Sequence, residues 1–294
     1  MDWGPIGVVS HRIHLISMII LSEIGRVFYG MVIAGMGCQA IYYHDFPYML
    51  LPPHPWITGH VMVAYIFGAA FILAGACIVF KIKIEIIPVL LGTLLLLVVC
   101  SYHIPYEFMT DSNYMRVGEW ENAEKDLALS GGAFVIAGCF SEENENLVTR
   151  FLRKLIPLGT ILFALMMAIF GTYHFLFTKE ASTLVPSWLP DHMFWTYLGG
   201  VALIGSGVAI ALKIKRGLIA ALLGTMIFIW FIILHIPRVM SASSADVGDE
   251  VTSAFLALAY SGTAFVIAGA TKNRKLKPAA FLLAPGQQDI ARVF

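Results

Sequence analysis

The sequence predicts an all-α integral membrane protein, with eight transmembrane helices forming two parallel-repeat four-helix bundles. Three observations carry this expectation. Hydrophobic residues make up 59% of the 294 and charged residues only 13%, about half the charge of an ordinary globular chain. Apolar runs long enough to cross a hydrocarbon core recur along the whole chain. The second half also repeats the first at a shift of 132 residues.

The composition excludes several classes. So few charges cannot cover a water-facing surface, and a net charge of zero gives no basis for binding nucleic acid. The bilayer is the expected partner, with other membrane subunits as a further option. Cys38, Cys77, Cys100 and Cys139 lie in or beside apolar runs without a CxxC pair, and read as small apolar fillers. The first apolar run contains Glu23 and Arg26 and lacks a small-residue cleavage site, so it reads as a membrane helix rather than a signal peptide. Those two charges stand one helical turn apart and have no counterpart in the second half, which suggests a local structural pair.

A span needs about 20 residues. The runs at 17–43, 58–80, 85–104, 126–141, 155–177, 191–212, 216–236 and 251–270 meet or approach that length. Alternate connections then separate the charges. Arg12, Lys81, Lys83, Arg150, Arg153, Lys154, Lys213, Lys215, Arg216, Lys272, Arg274, Lys275, Lys277 and Arg292 share one side. The positive-inside rule makes that side cytoplasmic, with both termini there. The expected units are 1–140 and 155–271, joined by a cytoplasmic linker at 141–154 and followed by a tail at 272–294.

The repeat is specific. Trp56, His60, Tyr65 and Gly68 fall on Trp188, His192, Tyr197 and Gly200. Lys81 and Lys83 fall on Lys213 and Lys215, and His103-Ile104-Pro105 on His235-Ile236-Pro237. After a one-residue slip Glu119 matches Glu250, and Phe134-Val135-Ile136-Ala137-Gly138 recurs at 265–269. An even number of spans per unit gives both units the same orientation.

Seven of the nine histidines map to the outer helix ends and loops. In each unit a histidine ends the first span, opens the second and closes the third, and a glutamate precedes the fourth. That rim could gather His60, His103 and Glu119 in the first unit and His192, His235 and Glu250 in the second as ligands for a transition metal such as zinc, copper or iron. Facing histidines could instead ligate haem, or the rim could hold a quinone. Histidine is also at home at a membrane interface, where it bonds loop carbonyls and carboxylates. The prolines after His103-Ile104 and His235-Ile236 read as helix stops. Segment 105–125 would then cap the first unit outside the membrane, and Trp56, Trp120 and Trp188 would belong to an interfacial aromatic belt.

The second unit reads Tyr173-His174-Phe175, Leu184-Val185-Pro186-Ser187-Trp188-Leu189-Pro190, His192, Phe194-Trp195-Thr196-Tyr197 and Leu234-His235-Ile236-Pro237-Arg238, then Glu250 and Ser261-Gly262. This resembles the DoxX-like family of four-helix membrane proteins, here as a tandem duplication. The resemblance implies a multi-pass protein of the bacterial inner membrane that supports redox or quinone-linked chemistry at its outer face. It also implies a cofactor- or ligand-binding set of His174, His192, His235, Arg238 and Glu250, with Arg238 binding an anion or the carboxylate. In the first unit Ala40 stands where the pattern places His174, with His44 one turn later, and Tyr106 stands opposite Arg238. The alternatives are a non-catalytic subunit of a larger respiratory-type complex, or a small-solute transporter. No catalytic residue is assigned by either route.

Overall fold

The computed structural model describes residues 5–47, 49–51, 61–110, 120–140 and 147–280, with side chains placed for 16–109, 120–140 and 150–270 within those ranges. Among the described residues the regular structure is helical, with no strand. In chain order the helices are α1 (Pro5–Tyr43), α2 (Val61–Val79), α3 (Ile87–Val98), α4 (Ile104–Thr110), α5 (Glu121–Phe140), α6 (Leu147–Leu152), α7 (Leu158–Leu176), α8 (Thr178–Leu184), α9 (His192–Ala211), α10 (Arg216–Trp230), α11 (Ile236–Ser241) and α12 (Val247–Ala280).

Among the described residues, seven helical segments are long and apolar enough to cross a membrane: Ile16–Tyr43, Val61–Val79, Ile87–Met109, Leu158–Leu176, His192–Ala211, Arg216–Ser241 and Val247–Ala270. The eighth expected span, 126–141, is helix α5. It begins at Glu121, earlier than its apolar run, so Glu121, Glu124, Lys125 and Asp126 occupy its first turns.

Two spans differ from the sequence expectation for a shared reason. The prolines at 105 and 237 do not stop their helices; the chain passes through them and continues as α4 and α11. Proline lacks an N–H, and its ring clashes with the carbonyl four residues earlier. The chain answers with a five-residue π-turn just upstream, Val99–His103 in one half and Phe231–His235 in the other. There the Ile104 N–H bonds the Val99 carbonyl, five residues back, and Ile236 bonds Phe231 in the same way. The widened turn moves the obstructing carbonyl aside, so the helix survives.

Other local features recur at the same spacing. Lys81 and Lys83, and again Lys213 and Lys215, adopt positive φ where one helix turns into the next. Ser130 donates to the Gly92 carbonyl at 2.8 Å, and Ser261 to the Gly224 carbonyl at 2.8 Å. Gly37 meets Gly68 backbone to backbone, as Gly171 meets Gly200.

The packing does not keep the units apart. Helix α1 packs along both α2 and α12, α7 packs along α9 and α5, and α5 also touches α12. The first helix of each unit thus lies against the last helix of the other. Polar bonds tie these crossings. Gln39 donates to the Gly248 carbonyl and to Thr252, both at 2.8 Å, and Tyr29 donates to the Leu129 carbonyl at 2.6 Å.

This arrangement explains why the runs at 126–141 and 251–270 are rich in Ser, Thr, Gly and Ala. They form the centre, with Ala128 through Ala137 buried in α5 and Ala259 through Gly269 in α12. Side chains shielded from lipid can be polar if they are bonded, and small ones let backbones approach closely. Leucines and isoleucines such as Leu73, Leu90, Leu94, Leu218 and Leu222 point outward instead. The cysteines are free, with Cys38 and Cys100 exposed.

Glu23 and Arg26 form the expected pair, with 2.8 Å between Arg26 Nη2 and Glu23 Oε2. Arg26 also reaches across to the Ile78 and Val79 carbonyls at the end of α2. Glu23 is bridged in turn by Lys81 at 2.7 Å.

Candidate functional site

The polar residues of interest gather near one end of the bundle. His103 closes the first π-turn and is fully buried. Its Nε2 lies 3.0 Å from the Leu50 carbonyl and 3.1 Å from Asp126 Oδ2. A carbonyl can only accept, so Nε2 carries the hydrogen, which it shares between carbonyl and carboxylate. Nδ1 of His103 and Oδ1 of Asp126 are both buried and have no hydrogen-bond partner among the described residues. Asp126, on α5, is itself fully buried.

The expected first-unit set was His60, His103 and Glu119. His60 and Glu119 lie outside the described residues. The acid that His103 meets among the described residues is Asp126, which rim position alone does not single out. The available signal was an aspartate at the very start of an otherwise apolar run, a setting in which an ionisable side chain is costly without a partner.

The second unit is built differently. His235 closes the second π-turn, and its Nδ1 is also buried without a partner. At the shift that aligns the fourth spans, Ala257 stands in place of Asp126. The carboxylate here is Glu250, which takes both ends of the Arg238 fork: Nε donates to Oε2 at 2.8 Å and Nη2 to Oε1. Such paired bonds fix geometry well. The Arg238 side chain is 37% exposed, however, so the pair contributes about 1 kcal/mol at most. We expect Glu250→Gln to lower stability by about that much at low ionic strength, and by less in high salt, where an exposed pair is screened. Thermal unfolding of the detergent-purified protein at two salt concentrations checks this.

His174 and His192 do not join that pair. His174 donates through Nδ1 to the Phe170 carbonyl at 2.9 Å, one turn back on its own helix. Its ring lies over Gly199 of α9, where an added Cβ would sit 3.5 Å from the ring edge. His192 opens α9, and its carbonyl accepts from Thr196 at 2.9 Å. Its ring makes no hydrogen bond to a described residue. Among the described residues no three His, Cys, Asp or Glu side chains stand close enough to hold a metal ion. His192, His235 and Glu250 share a rim without converging on one point.

The histidine position that ends the first span differs between units in an informative way. Gly37 and Gly171 occupy equivalent helix crossings, which places Ala40 opposite His174 and Gln39 opposite Tyr173. Ala40 is fully buried, and His44 instead bonds Tyr65 at an exposed position, 2.8 Å from Nδ1 to the hydroxyl. Gln39 and Tyr173 each reach the fourth span of the other unit. Tyr173 donates to Glu124 Oε2 at 2.6 Å, two residues before Asp126. Glu124 and Asp126, two positions apart on α5, thus point to different neighbours, Glu124 to Tyr173 of α7 and Asp126 to His103.

One family model, described as a domain of unknown function (DUF8561), matches residues 163–268. That stretch runs from inside α7 to inside α12 and contains His174, His192, His235, Arg238 and Glu250. No curated protein and no solved structure matches the chain.

Proposed function

We propose that this chain is a DoxX-like protein of the bacterial inner membrane that binds a quinone-type carrier near its outer face and exchanges protons with it. In this reading α5 is the eighth span, its charged start lies at the outer side, and both termini are cytoplasmic. The two units, 1–140 and 155–271, are then related by a pseudo-two-fold axis along the membrane normal. The seven apolar segments and the sidedness of the basic residues support that orientation.

One observation carries the functional reading. Each half closes a π-turn with a histidine whose Nδ1 is buried and has no partner among the described residues. Buried polar atoms are nearly always bonded, so an orphan in each copy points to a group that comes from outside the chain. The residues fit a hydroxylated, lipid-soluble ring better than a metal, because no three ligands converge among the described residues. A quinone pool couples electron transfer to proton transfer, so its site needs a group that takes a proton. With Nε2–H fixed on Leu50 and Asp126, the neutral His103 ring presents Nδ1 as an acceptor. A hydroxyl there can donate a hydrogen bond to Nδ1 while Leu50 and Asp126 hold the other ring nitrogen.

The test is organic extraction of the detergent-purified protein and quantification of quinone. His103→Gln with His235→Gln should cut the content about tenfold, the effect of losing one to two hydrogen bonds, at unchanged elution volume. Quinone content that ignores both substitutions would sink the reading. A colourless wild type free of quinone and metal would favour a purely structural subunit. Asp126 also supports a second reading, proton-coupled transport of a small solute, because it is a fully buried acid within a helix of the central layer. Solute-dependent proton uptake into proteoliposomes, absent in Asp126→Asn, would favour it.

A further inference from the structure

At the opposite end of the bundle the two units differ in charge. The turn from α2 to α3 holds Lys81 and Lys83, with Glu85 in the same turn. Glu23 from α1 binds Lys81 at 2.7 Å and Arg26 at 2.8 Å, so acids and cations are interleaved there. The equivalent turn from α9 to α10 holds Lys213, Lys215 and Arg216. Arg216 replaces Ile84 and Gly217 replaces Glu85. The spacing that aligns the first spans puts Pro157 where Glu23 stands. The second turn therefore gains a cation and loses both acids.

Three features of this turn ask for an anion. Lys213, Lys215 and Arg216 form no ion pair with any described carboxylate. They sit at the start of the 15-residue α10, whose N-cap Lys215 supplies no capping side chain, so unsatisfied N–H groups and the positive helix end add to their charge. Nε of Arg216 is buried and has no hydrogen-bond partner among the described residues. A guanidinium N–H shielded from water without an acceptor is costly, and Arg in particular fits the paired oxygens of a phosphate. Lys213 and Lys215 both have positive φ, at 61° and 40°, which sets their side chains on the exposed surface of the turn.

We propose that the α9–α10 turn is a binding site for a phosphate-bearing anion, supplied by the headgroup of an anionic membrane phospholipid. Arg216 holds the phosphate through its fork, and Lys213 and Lys215 add charge at the rim. The neighbouring lipid-facing surface offers a place for acyl chains, since Leu212, Ile214 and Leu218 are all exposed. The α2–α3 turn has less need of one, because Glu23 already holds Lys81 and the neighbouring Arg26.

The full-length protein in detergent can be tested by native mass spectrometry with added phosphatidylglycerol, phosphatidylcholine or inorganic phosphate. The wild type should retain phosphatidylglycerol about tenfold better than phosphatidylcholine. The variant K213Q/K215Q/R216Q should lose that preference, while K81Q/K83Q should keep it. Arg216→Lys, which preserves the charge and removes the fork, should weaken retention without disturbing the fold. Equal retention of both lipids by the wild type, or equal retention by the triple and control variants, overturns the site. Displacement of the lipid by millimolar inorganic phosphate alone would assign the turn to free phosphate and overturn the lipid source.

Discussion

Replacing His103 by Leu is expected to destabilise the protein by about 2–4 kcal/mol, because two buried acceptors lose their donor at about 1–3 kcal/mol each, more for a carboxylate. The change strips both the Leu50 carbonyl and Asp126 Oδ2 of their donor, and leaves a fully buried carboxylate whose other oxygen already has no partner. Asp126→Leu removes the charge together with its need for a donor, and His103 can still bond Leu50. That variant should cost less, about 1–3 kcal/mol. The double variant should lie near the Asp126 single variant, so the coupling in a double-mutant cycle should be about as large as the His103→Leu loss itself. His235→Leu supplies the internal control. Ala257 stands where Asp126 does at the matching position, so no carboxylate there loses a donor and His235→Leu should cost clearly less than His103→Leu. Thermal and denaturant unfolding of the four proteins in one detergent checks the set. Equal losses from His103→Leu and His235→Leu would mean that Asp126 contributes nothing to holding the histidine.

The second large effect concerns the crossing of α1 and α12. A Cβ on Gly25 would overlap the Gly262 carbonyl oxygen, and a Cβ on Gly262 would sit 2.6 Å from the Gly25 carbonyl oxygen. Backbone lies on both sides, so neither helix can yield by turning a side chain. Gly25→Val should force the helices apart and cost about 3 kcal/mol or more, the upper end of overpacking effects. Because α1 also carries Tyr29 and Gln39 to their partners on α5 and α12, the loss should extend along the whole interface. Gly205 offers the contrast: nothing lies within 4 Å of its added Cβ. Gly205→Ala should be neutral, or stabilise by up to about 1 kcal/mol through helix propensity. Melting temperatures and the monodisperse fraction on size exclusion separate the two. A Gly25→Val protein that melts with the wild type would show that the crossing is looser than these distances.

Much of the fold was legible in the chain. Hydropathy placed the apolar helices because a lipid-facing helix must be apolar around most of its surface, whatever its neighbours. The repeat announced paired local features, and the lysine turns, the serine-to-glycine bonds and the π-turns all recur at its spacing. The ends of the third span in each unit were misread. Proline usually ends a helix, yet a π-turn costs little when tertiary packing favours continuation, and propensity alone cannot weigh that. The start of α5 was placed late for a related reason: its first turns are charged, and only its burial between α3, α7 and α12 makes a helix there favourable.

The candidate site was less legible. The histidine and proline pattern led to His103 and His235, which lie at equivalent π-turns. It did not lead to Asp126, 23 residues along the chain from His103, because the rotation of α5 about its own axis decides which of its acids turns inward. Equally, a shared rim did not bring His174 or His192 to the Arg238–Glu250 pair, since each helix end turns its side chain according to local packing.

What the sequence determined by itself is what one-dimensional chemistry can encode: the solvent, the approximate spans, the duplication and the residues available for polar work. Only the tertiary structure decided that the units interlock, and that the small-residue helices α5 and α12 form the centre. It also decided that one histidine finds an acid while its copy does not. Hydrophobic transfer to lipid is a property of each helix alone. Close packing and hydrogen bonding are properties of pairs of helices, and their partners are chosen by geometry that spacing along the chain does not express.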